Sequence, residues 1–258
     1  MKLNKQKRSK IKGFAEIFGT HAVYAALNNP NRRHEKLFVS QNQKEDLSKE
    51  LGKLVPEINE LHNKEMFKMF GNEASHQGIV LRTSKLEQPS LENVINDSKE
   101  KKTDVVVILD QVTDPNNIGS IMRSCALFNC ESIIVSKDNT PDITASMAKA
   151  ASGALEKVNY ISVVNISRAI IQLKKNNYWI YGLDSNHNNL QNKILDLPSK
   201  CVIVFGSEGK GLRNLTKTEC DELVSIPMES NDQYNIESLN VANACSIVLY
   251  EHYKNNIK

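Results

Sequence analysis

The chain has 258 residues, with 33 Lys and Arg against 30 Asp and Glu, a formal net charge of +3 and 40% hydrophobic residues. This composition is typical of a soluble globular protein, and five cysteines without a C-x-x-C pair argue against a zinc site or a disulfide framework. No apolar run reaches the roughly 20 residues of a membrane span and no apolar segment follows the basic N-terminus, so we expect a cytoplasmic protein without membrane contact.

The N-terminus carries a concentrated positive charge. Residues 1–12 contain six basic side chains and no acidic one, and Lys7 and Arg8 lie at the centre of the run. Such an arm suits a nucleic-acid backbone, because each neutralised phosphate releases counterions. A solubilising tail is an equally good interpretation of the charge alone.

Residues 13–83 show alternating helical and extended patterns, which predict a small α/β domain. The predicted helices and strands are 20–27, 36–40, 44–55, 57–61, 64–70 and 78–82. The next segment, 84–102, is polar and charged, contains Pro89 and has few large apolar residues. We interpret 84–102 as a linker or a weakly ordered helix and loop.

Residues 103–258 have a stronger pattern, in which continuous apolar runs alternate with amphipathic helical segments. This alternation predicts an α/β domain with a largely parallel sheet covered by helices on both faces. In such sheets ligands bind beyond the carboxyl ends of the strands. The predicted strands are 105–109, 132–135, 179–183, 201–205 and 223–226, and the predicted helices are 118–128, 143–154, 167–175, 212–220 and 239–253.

The first strand-end segment is DQVTDPNNIGSIMR, Asp110–Arg123. Its Asp, Asn and Pro residues are those that a turn before a helix requires, which is a structural explanation for much of the segment. Arg123 lies in an otherwise apolar helix. An ion pair with a nearby carboxylate and a functional role are equally good explanations of its position.

The second segment is GSEGKG, Gly206–Gly211, directly after the apolar run CVIVF. Its glycines allow positive φ angles and a close approach of the backbone to a ligand. It matches neither a Walker A loop nor the G-x-G-x-x-G fingerprint of dinucleotide-binding proteins. A plain tight turn is the alternative, and Glu208 could bind a ligand or cap the following helix.

The third segment runs from Ile226 through a polar loop to a helix that begins near Ser238 and Asn240. Ser238 is a natural N-cap, which is its structural interpretation. Asn240 in the first turn has no comparable structural explanation. Because all three segments follow predicted strands, we expect them to form one site.

In this order the segments DPNNIGSIMRS, VIVFGSEGKGL and IPM…SLNVANA resemble the three motifs of the SpoU/TrmH family of RNA 2′-O-ribose methyltransferases, over residues 103–253. FAEIFGTHAVYAAL and HQGIVL resemble the N-terminal RNA-binding domain of the two-domain members. The resemblance implies an α/β, knotted (deep trefoil) parallel-sheet methyltransferase domain over 103–258, a ribosomal-protein-like RNA-binding domain over 13–83, and a homodimer formed through the knotted domain. The likeness is greatest to members that methylate a guanosine of 23S rRNA.

The resemblance also implies roles for individual residues. The methyl donor would be S-adenosylmethionine, without a metal, held by the backbone of Gly206, Ile226 and Leu239. Because arginine keeps its charge at neutral pH, our hypothesis is that Arg123 stabilises the developing alkoxide and grips a phosphate, rather than acting as a base. The residues that match the family's catalytic positions are Asn117, Arg123, Glu208, Ser238 and Asn240, and the candidate phosphate contacts are Lys7, Arg8, Arg32, Arg33 and Lys36.

Two departures from the family pattern limit this transfer of roles. The loop 229–237 is longer than the link that close relatives have, and Ala242 stands where they commonly place a second serine, so neither receives a role. Three alternatives stay open: a tRNA ribose methyltransferase of the same family, a catalytically silent RNA-binding factor, and a dinucleotide-dependent oxidoreductase. The last is disfavoured by the missing glycine fingerprint.

Overall fold

The computed structural model describes residues 13–41, 43, 53–55, 57–70, 76–138, 140–184, 197–228 and 238–256. The chain divides into two compact units, Met1–Glu87 and Gln88–Lys258, and each contains its own sheet. The basic arm 1–12 with Lys7 and Arg8, most of the predicted helix 44–55 and the loop 229–237 lie outside the described residues.

The first unit is a four-stranded mixed sheet with the strand order β1-β4-β2-β3. β4 runs antiparallel to both of its neighbours, and β2 is parallel to β3. The ring of Phe70 lies in the core, 5.9 Å from the ring of Phe18 and 5.1 Å from that of Phe38. The elements are β1 (Phe14–Phe18), α1 (Thr20–Leu27), β2 (His34–Ser40), β3 (Ile58–Leu61), α2 (Asn63–Phe70) and β4 (Ile79–Ser84).

The candidate phosphate contacts of this unit differ in their surroundings. Arg32 is only 7% exposed, and its Nη1 donates a hydrogen bond to the carbonyl oxygen of Ser84 at 2.6 Å. Lys36 Nζ lies 2.6 Å from the carboxylate of Glu57. Arg33 is exposed. The expectation that Arg32 contacts phosphate is therefore corrected: its guanidinium is buried and holds the end of β4.

The second unit contains a six-stranded sheet in which every strand pairing is parallel, with the order β10-β8-β9-β5-β6-β7. Of the helices in the described part of the chain, none has the length and apolar character to cross a membrane. The elements are α3 (Leu91–Asp97), β5 (Asp104–Asp110), α4 (Pro115–Leu127), β6 (Ser132–Ser136), α5 (Ala145–Ala151), β7 (Asn159–Val163), α6 (Ile166–Lys174), β8 (Trp179–Leu183), β9 (Lys200–Gly206), α7 (Asn214–Glu219), β10 (Glu222–Val224) and α8 (Val241–Asn256).

The segment 84–102, which we interpreted as a linker or a weakly ordered helix and loop, contributes a helix to the core of the second unit. Ser90 caps α3 by accepting a hydrogen bond from the backbone N–H of Asn93 at 3.2 Å, within a capping box. Leu91, Val94 and Ile95 are buried in one hydrophobic cluster with the apolar face of α6. Their i, i+3, i+4 spacing is that of a helix face, and the charged residues around them obscured it in the sequence.

The strand order places two of the three expected site segments side by side. β5 is buried along its whole length, and its last residue, Asp110, lies opposite Gly206 at the end of β9. From β5 the chain continues to β6 and β7 on one side, whereas β9, β8 and β10 lie on the other. Parallel sheets bind ligands at such a change of direction, at the carboxyl ends of the strands.

Candidate active site

The loop Gly206–Gly211 folds back on itself immediately after β9. Ser207 and Gly211 exchange two backbone hydrogen bonds, of 3.2 and 2.9 Å. A Cβ atom on Gly206 would lie 2.1 Å from the carbonyl carbon of Gly211 and 2.4 Å from its oxygen. Since real side chains do not approach backbone this closely, the loop can close only with glycine at position 206.

A pocket opens beside this loop, beyond the carboxyl ends of β8, β9 and β10. The three residues expected to hold a ligand through their backbone, Gly206, Ile226 and Leu239, all line it, together with Glu208 and Ser238. Its remaining walls combine apolar side chains with exposed backbone of the glycine loop, which suits a ligand with a flat apolar ring and several polar groups. The other lining residues include Leu183, Asp184, Phe205, Lys217, Ser225, Met228, Val241 and Ala244.

Three side chains from the three segments meet at the rim of this pocket. Glu208 Oε1 accepts a hydrogen bond from Asn117 Nδ2 at 3.0 Å and another from Asn240 Nδ2 at 2.8 Å. Asn240 Nδ2 also donates to Asn117 Oδ1 at 3.0 Å. We call Asn117, Glu208 and Asn240 the amide cluster. Segments separated by up to 123 residues are thus joined directly.

Asn240 also begins the last helix. Its Oδ1 accepts a hydrogen bond from the backbone N–H of Ala242 at 2.9 Å, and its carbonyl oxygen accepts one from Ala244 N. Our structural interpretation of Ser238 as the N-cap of this helix was therefore wrong, because α8 begins two residues later than the sequence indicated. Asn240 has the structural role that we had not found for it, and Ser238 lines the pocket instead.

The turn before α4 places Asn117 opposite Glu208. Asp114 accepts hydrogen bonds from the backbone N–H groups of Asn116 and Asn117, both at 3.2 Å, and Pro115 occupies the first turn of the helix. These are the contacts of a helix N-cap. The turn residues therefore have the structural role expected of them, and they fix the side chain that joins the amide cluster.

Arg123 lies on the exposed surface of α4 and does not line the pocket. Among the described residues no carboxylate forms an ion pair with it, so that alternative explanation gains no support. It is six residues beyond Asn117, or about 9 Å along the helix axis. Its neighbour Ser124 shares a hydrogen bond of 2.7 Å with Ser246 of α8. Arg123 is thus an exposed residue on a helix that Ser124 fixes to α8, outside the residues that line the pocket.

Two ionic contacts in this region were missed by the sequence analysis. Asp184 directly follows β8, is only 7% exposed, and accepts a hydrogen bond from Lys217 Nζ at 2.6 Å, and both residues line the pocket. Asp110 is fully buried at the end of β5, and Arg213 Nε lies 2.7 Å from its Oδ1. An acidic residue at the carboxyl end of a buried strand was the available signal in both cases. The second pair anchors the chain that leaves the glycine loop.

Comparison with known proteins identifies relatives of both units. Residues 104–250 match the SpoU rRNA Methylase family, and residues 17–89 match the family described as RNA 2'-O ribose methyltransferase substrate binding. The chain is 37% identical to the 23S rRNA (guanosine-2'-O-)-methyltransferase RlmB of Coxiella burnetii, over 94% of this chain and 95% of that protein. It is 32% identical to RlmB of Escherichia coli, over 91% and 96%.

A solved structure has the same fold. The SpoU methyltransferase AviRb from Streptomyces viridochromogenes, in complex with the cofactor AdoMet, superimposes with a TM-score of 0.74 and 23% identity, over 98% of this chain and 93% of that one. This likeness confirms the α/β class, with a parallel-sheet domain and a smaller N-terminal domain. At this identity it speaks for the fold alone.

Proposed function

Because the chain belongs to the SpoU rRNA methylase family, we propose that it transfers a methyl group from S-adenosylmethionine to the ribose 2′-hydroxyl of a guanosine in 23S rRNA. The observation that carries the proposal is the amide cluster, in which Asn117, Glu208 and Asn240 meet beside the pocket of the glycine loop. The RlmB relatives match this chain over nearly their whole length as well as its own. This breadth favours the same reaction and the same class of RNA.

The pocket beside the glycine loop is the proposed donor site. S-adenosylmethionine supplies a methyl group that its positive sulfur already activates, so the protein has to bind and orient the reactants. The backbone of Gly206, Ile226 and Leu239 would bind the adenine and methionine parts. Gly206 fits this role, because a side chain there would collide with Gly211 and open the loop that forms the pocket wall.

Replacing Lys217 by methionine is expected to weaken donor binding about tenfold, because the buried carboxylate of Asp184 would lose its charged partner in the pocket wall. Isothermal titration calorimetry with S-adenosylmethionine measures the change. Lys210→Met is the matched control, since Lys210 lines the same pocket, is exposed, and has no ion pair in the described part of the chain. If the Lys217 variant and the unchanged protein bind the donor with equal affinity, the ion pair of Asp184 and Lys217 does not contribute to donor binding.

The exposed face of α4 is the proposed meeting point with RNA. Arg123 would stabilise the negative charge that develops on the 2′-oxygen and grip the adjacent phosphate, while water or a phosphate oxygen takes the proton. Asn117, Glu208 and Asn240 would orient the ribose at the rim of the pocket, with Ser238 nearby. Positioning of this kind can lower a barrier by roughly 7–11 kcal/mol, so two amides held by the Glu208 carboxylate would contribute to the rate by orienting the ribose.

The first unit is the proposed RNA-binding domain. Arg33, beside β2, is the exposed one of the three described candidates Arg32, Arg33 and Lys36. Lys7 and Arg8 would extend the contact along the backbone, because a basic arm binds without sequence preference. Arg32 is not included, since its guanidinium is buried.

A homodimer formed through the second unit is also proposed. Tyr250 and Ile247 of α8 are 47% and 39% exposed, and Leu127 at the end of α4 is 66% exposed. Phe128 lies 5.9 Å from the ring of Tyr250 and adds to the same apolar surface. Apolar side chains grouped in this way on one face favour association. Sedimentation velocity of the full chain would test it, and a monomer at micromolar concentration would contradict it.

The function is tested by mapping 2′-O-methylation in rRNA and tRNA from cells with and without this protein. We expect one guanosine of 23S rRNA to lose its methyl group, and the unchanged gene to restore it. An Asn240→Ala copy should fail to restore it, because the amide cluster loses two of its hydrogen bonds. If a tRNA methylation is lost instead, the substrate is a tRNA and not 23S rRNA. If neither RNA changes, the proposed function is contradicted.

A further inference from the structure

A second basic surface lies at the other end of the parallel sheet. It is a recess at the amino ends of β8 and β9, lined by Trp179, Lys102, Lys174 and Lys200, with Tyr181, Asn177 and Asp221 among its other walls. We call it the lysine–tryptophan recess. The donor pocket lies beyond the carboxyl ends of the same strands, so the two sites are separated by the length of β8.

The exposure of Trp179 follows from the strand pairing. The edge strand β10 begins at Glu222, which lies opposite Tyr181, so it does not reach the first residues of β8. Trp179 therefore has a neighbouring strand on one side only, β9, and remains 49% exposed. It is the only tryptophan in the chain. A half-exposed indole offers a flat surface on which a nucleic-acid base can stack.

The charge around this indole is predominantly positive. Asp221 is the only carboxylate among the residues lining the recess, and it is already bound: Lys174 Nζ lies 2.8 Å from its Oδ1, and the backbone N–H of Ile180 donates to its Oδ2 at 2.8 Å. Lys102 is exposed and has no ion pair within the described ranges. Lys200 Nζ donates to the carbonyl oxygen of Ser98, which is not a charged group. The recess thus combines an aromatic face with two lysines, Lys102 and Lys200, that form no ion pair with the described residues.

We infer that the lysine–tryptophan recess binds a single-stranded segment of the RNA substrate, with one base stacked on Trp179 and a phosphate beside Lys102. The inference rests on the proposed function for the presence of RNA, and it adds a contact outside the active site. Proteins bind unpaired strands without sequence preference through basic side chains that contact the phosphates and aromatic rings on which the bases stack. A protein partner would instead favour an apolar core around the indole, and lysines surround it here.

The single tryptophan makes the contact directly observable. An oligouridine of about 12 nucleotides is titrated into the full-length protein without methyl donor, and Trp179 fluorescence is recorded. We expect strong quenching, since a stacked base is in van der Waals contact with the indole. Binding of the same oligonucleotide, seen by the anisotropy of a label on the RNA, without any change in Trp179 fluorescence would overturn the inference.

Variants then assign the contributions. Trp179→Ala is expected to weaken oligouridine binding about tenfold, and Trp179→Phe, which keeps an aromatic face, by less than about threefold. Lys102→Ala should reduce the slope of log Kd against log salt by about 0.7, the value for one phosphate contact on a single strand. Thermal unfolding of each variant verifies that it is folded. Equal losses for Trp179→Ala and Trp179→Phe, or an unchanged salt slope, would count against the stacked base or the phosphate contact.

The outcome is separable from that of the proposed function. Quenching needs neither S-adenosylmethionine nor methyl transfer, so it can succeed where the rRNA mapping finds no methylated nucleotide. Conversely, Trp179→Ala could leave rRNA methylation unaffected, and the RNA could fail to quench the fluorescence of Trp179. These two results together would support the proposed enzyme activity and contradict the contact at Trp179.

Discussion

Replacing Arg123 by alanine is expected to lower kcat for RNA methylation by about 100- to 1000-fold, the usual cost of removing one group that stabilises transition-state charge. Affinity for S-adenosylmethionine should be unchanged, because Arg123 lies outside the donor pocket. Single-turnover methylation of rRNA, with calorimetry of donor binding, separates the two effects. Arg168→Ala is the control, since Arg168 is an exposed arginine on a different helix, α6.

The Arg123→Lys variant tests whether Arg123 binds phosphate through two donors or acts only as a positive charge. A guanidinium presents a planar pair of donors to a phosphate, whereas an ammonium is a point charge. If Arg123 grips phosphate in this way, Arg123→Lys should remain at least about tenfold slower than the unchanged enzyme. An Arg123→Lys enzyme with near-normal turnover would argue against both the bidentate grip and a role as the base.

Replacing Gly206 by alanine is expected to weaken S-adenosylmethionine binding by about a hundredfold or more, or about 2.8 kcal/mol, because the loop that forms the pocket wall would have to open. The new Cβ would lie 2.1 Å from the carbonyl carbon of Gly211 and 2.4 Å from the backbone nitrogen of Leu212. Backbone cannot move aside as a flexible side chain can, so the loop has to open. Calorimetry with the donor measures the loss.

Gly209→Ala is the matched control for this prediction. Gly209 has a φ of +83°, but a Cβ there would meet nothing within 4 Å. Its replacement costs about 1 kcal/mol of backbone strain and should leave donor affinity within about fivefold. If the two variants bind the donor equally well, glycine at position 206 is not required for the close approach in the loop.

The centre of the fold and the convergence of the site were predictable because strong local signals agreed. β5 and β9 are continuous apolar runs, and such runs form the buried middle of a parallel sheet. Once they are neighbours, Asp110 and Gly206 must end at the same edge. The third segment follows β10, and its motif lies at the same edge of the sheet. The order of the strands was therefore enough to predict that Asn117, Glu208 and Asn240 lie close together. No knowledge of their side-chain contacts was needed.

The errors arose where a residue's tertiary surroundings decide its role. The apolar face of α3 consists of three residues among many charged ones, so its periodicity was weak until the core around Leu91, Val94 and Ile95 gave it a partner. Arg32 has the sequence context of a surface cation, but its burial depends on the distant carbonyl group of Ser84. The pairing of Asp184 with Lys217 joins residues 33 positions apart, which no local pattern encodes.

The helix cap at Asn240 has a consequence for which amino acids position 240 can accept. Aspartate and serine start helices as well as asparagine does, yet aspartate would set a second carboxylate against Glu208, and serine lacks the hydrogens to reach both Glu208 and Asn117. Only an amide accepts from Ala242 and donates twice at the pocket rim. The Asn240 side chain therefore links the start of the C-terminal helix to the amide cluster. A substitution at position 240 that is chosen for one of them also changes the other.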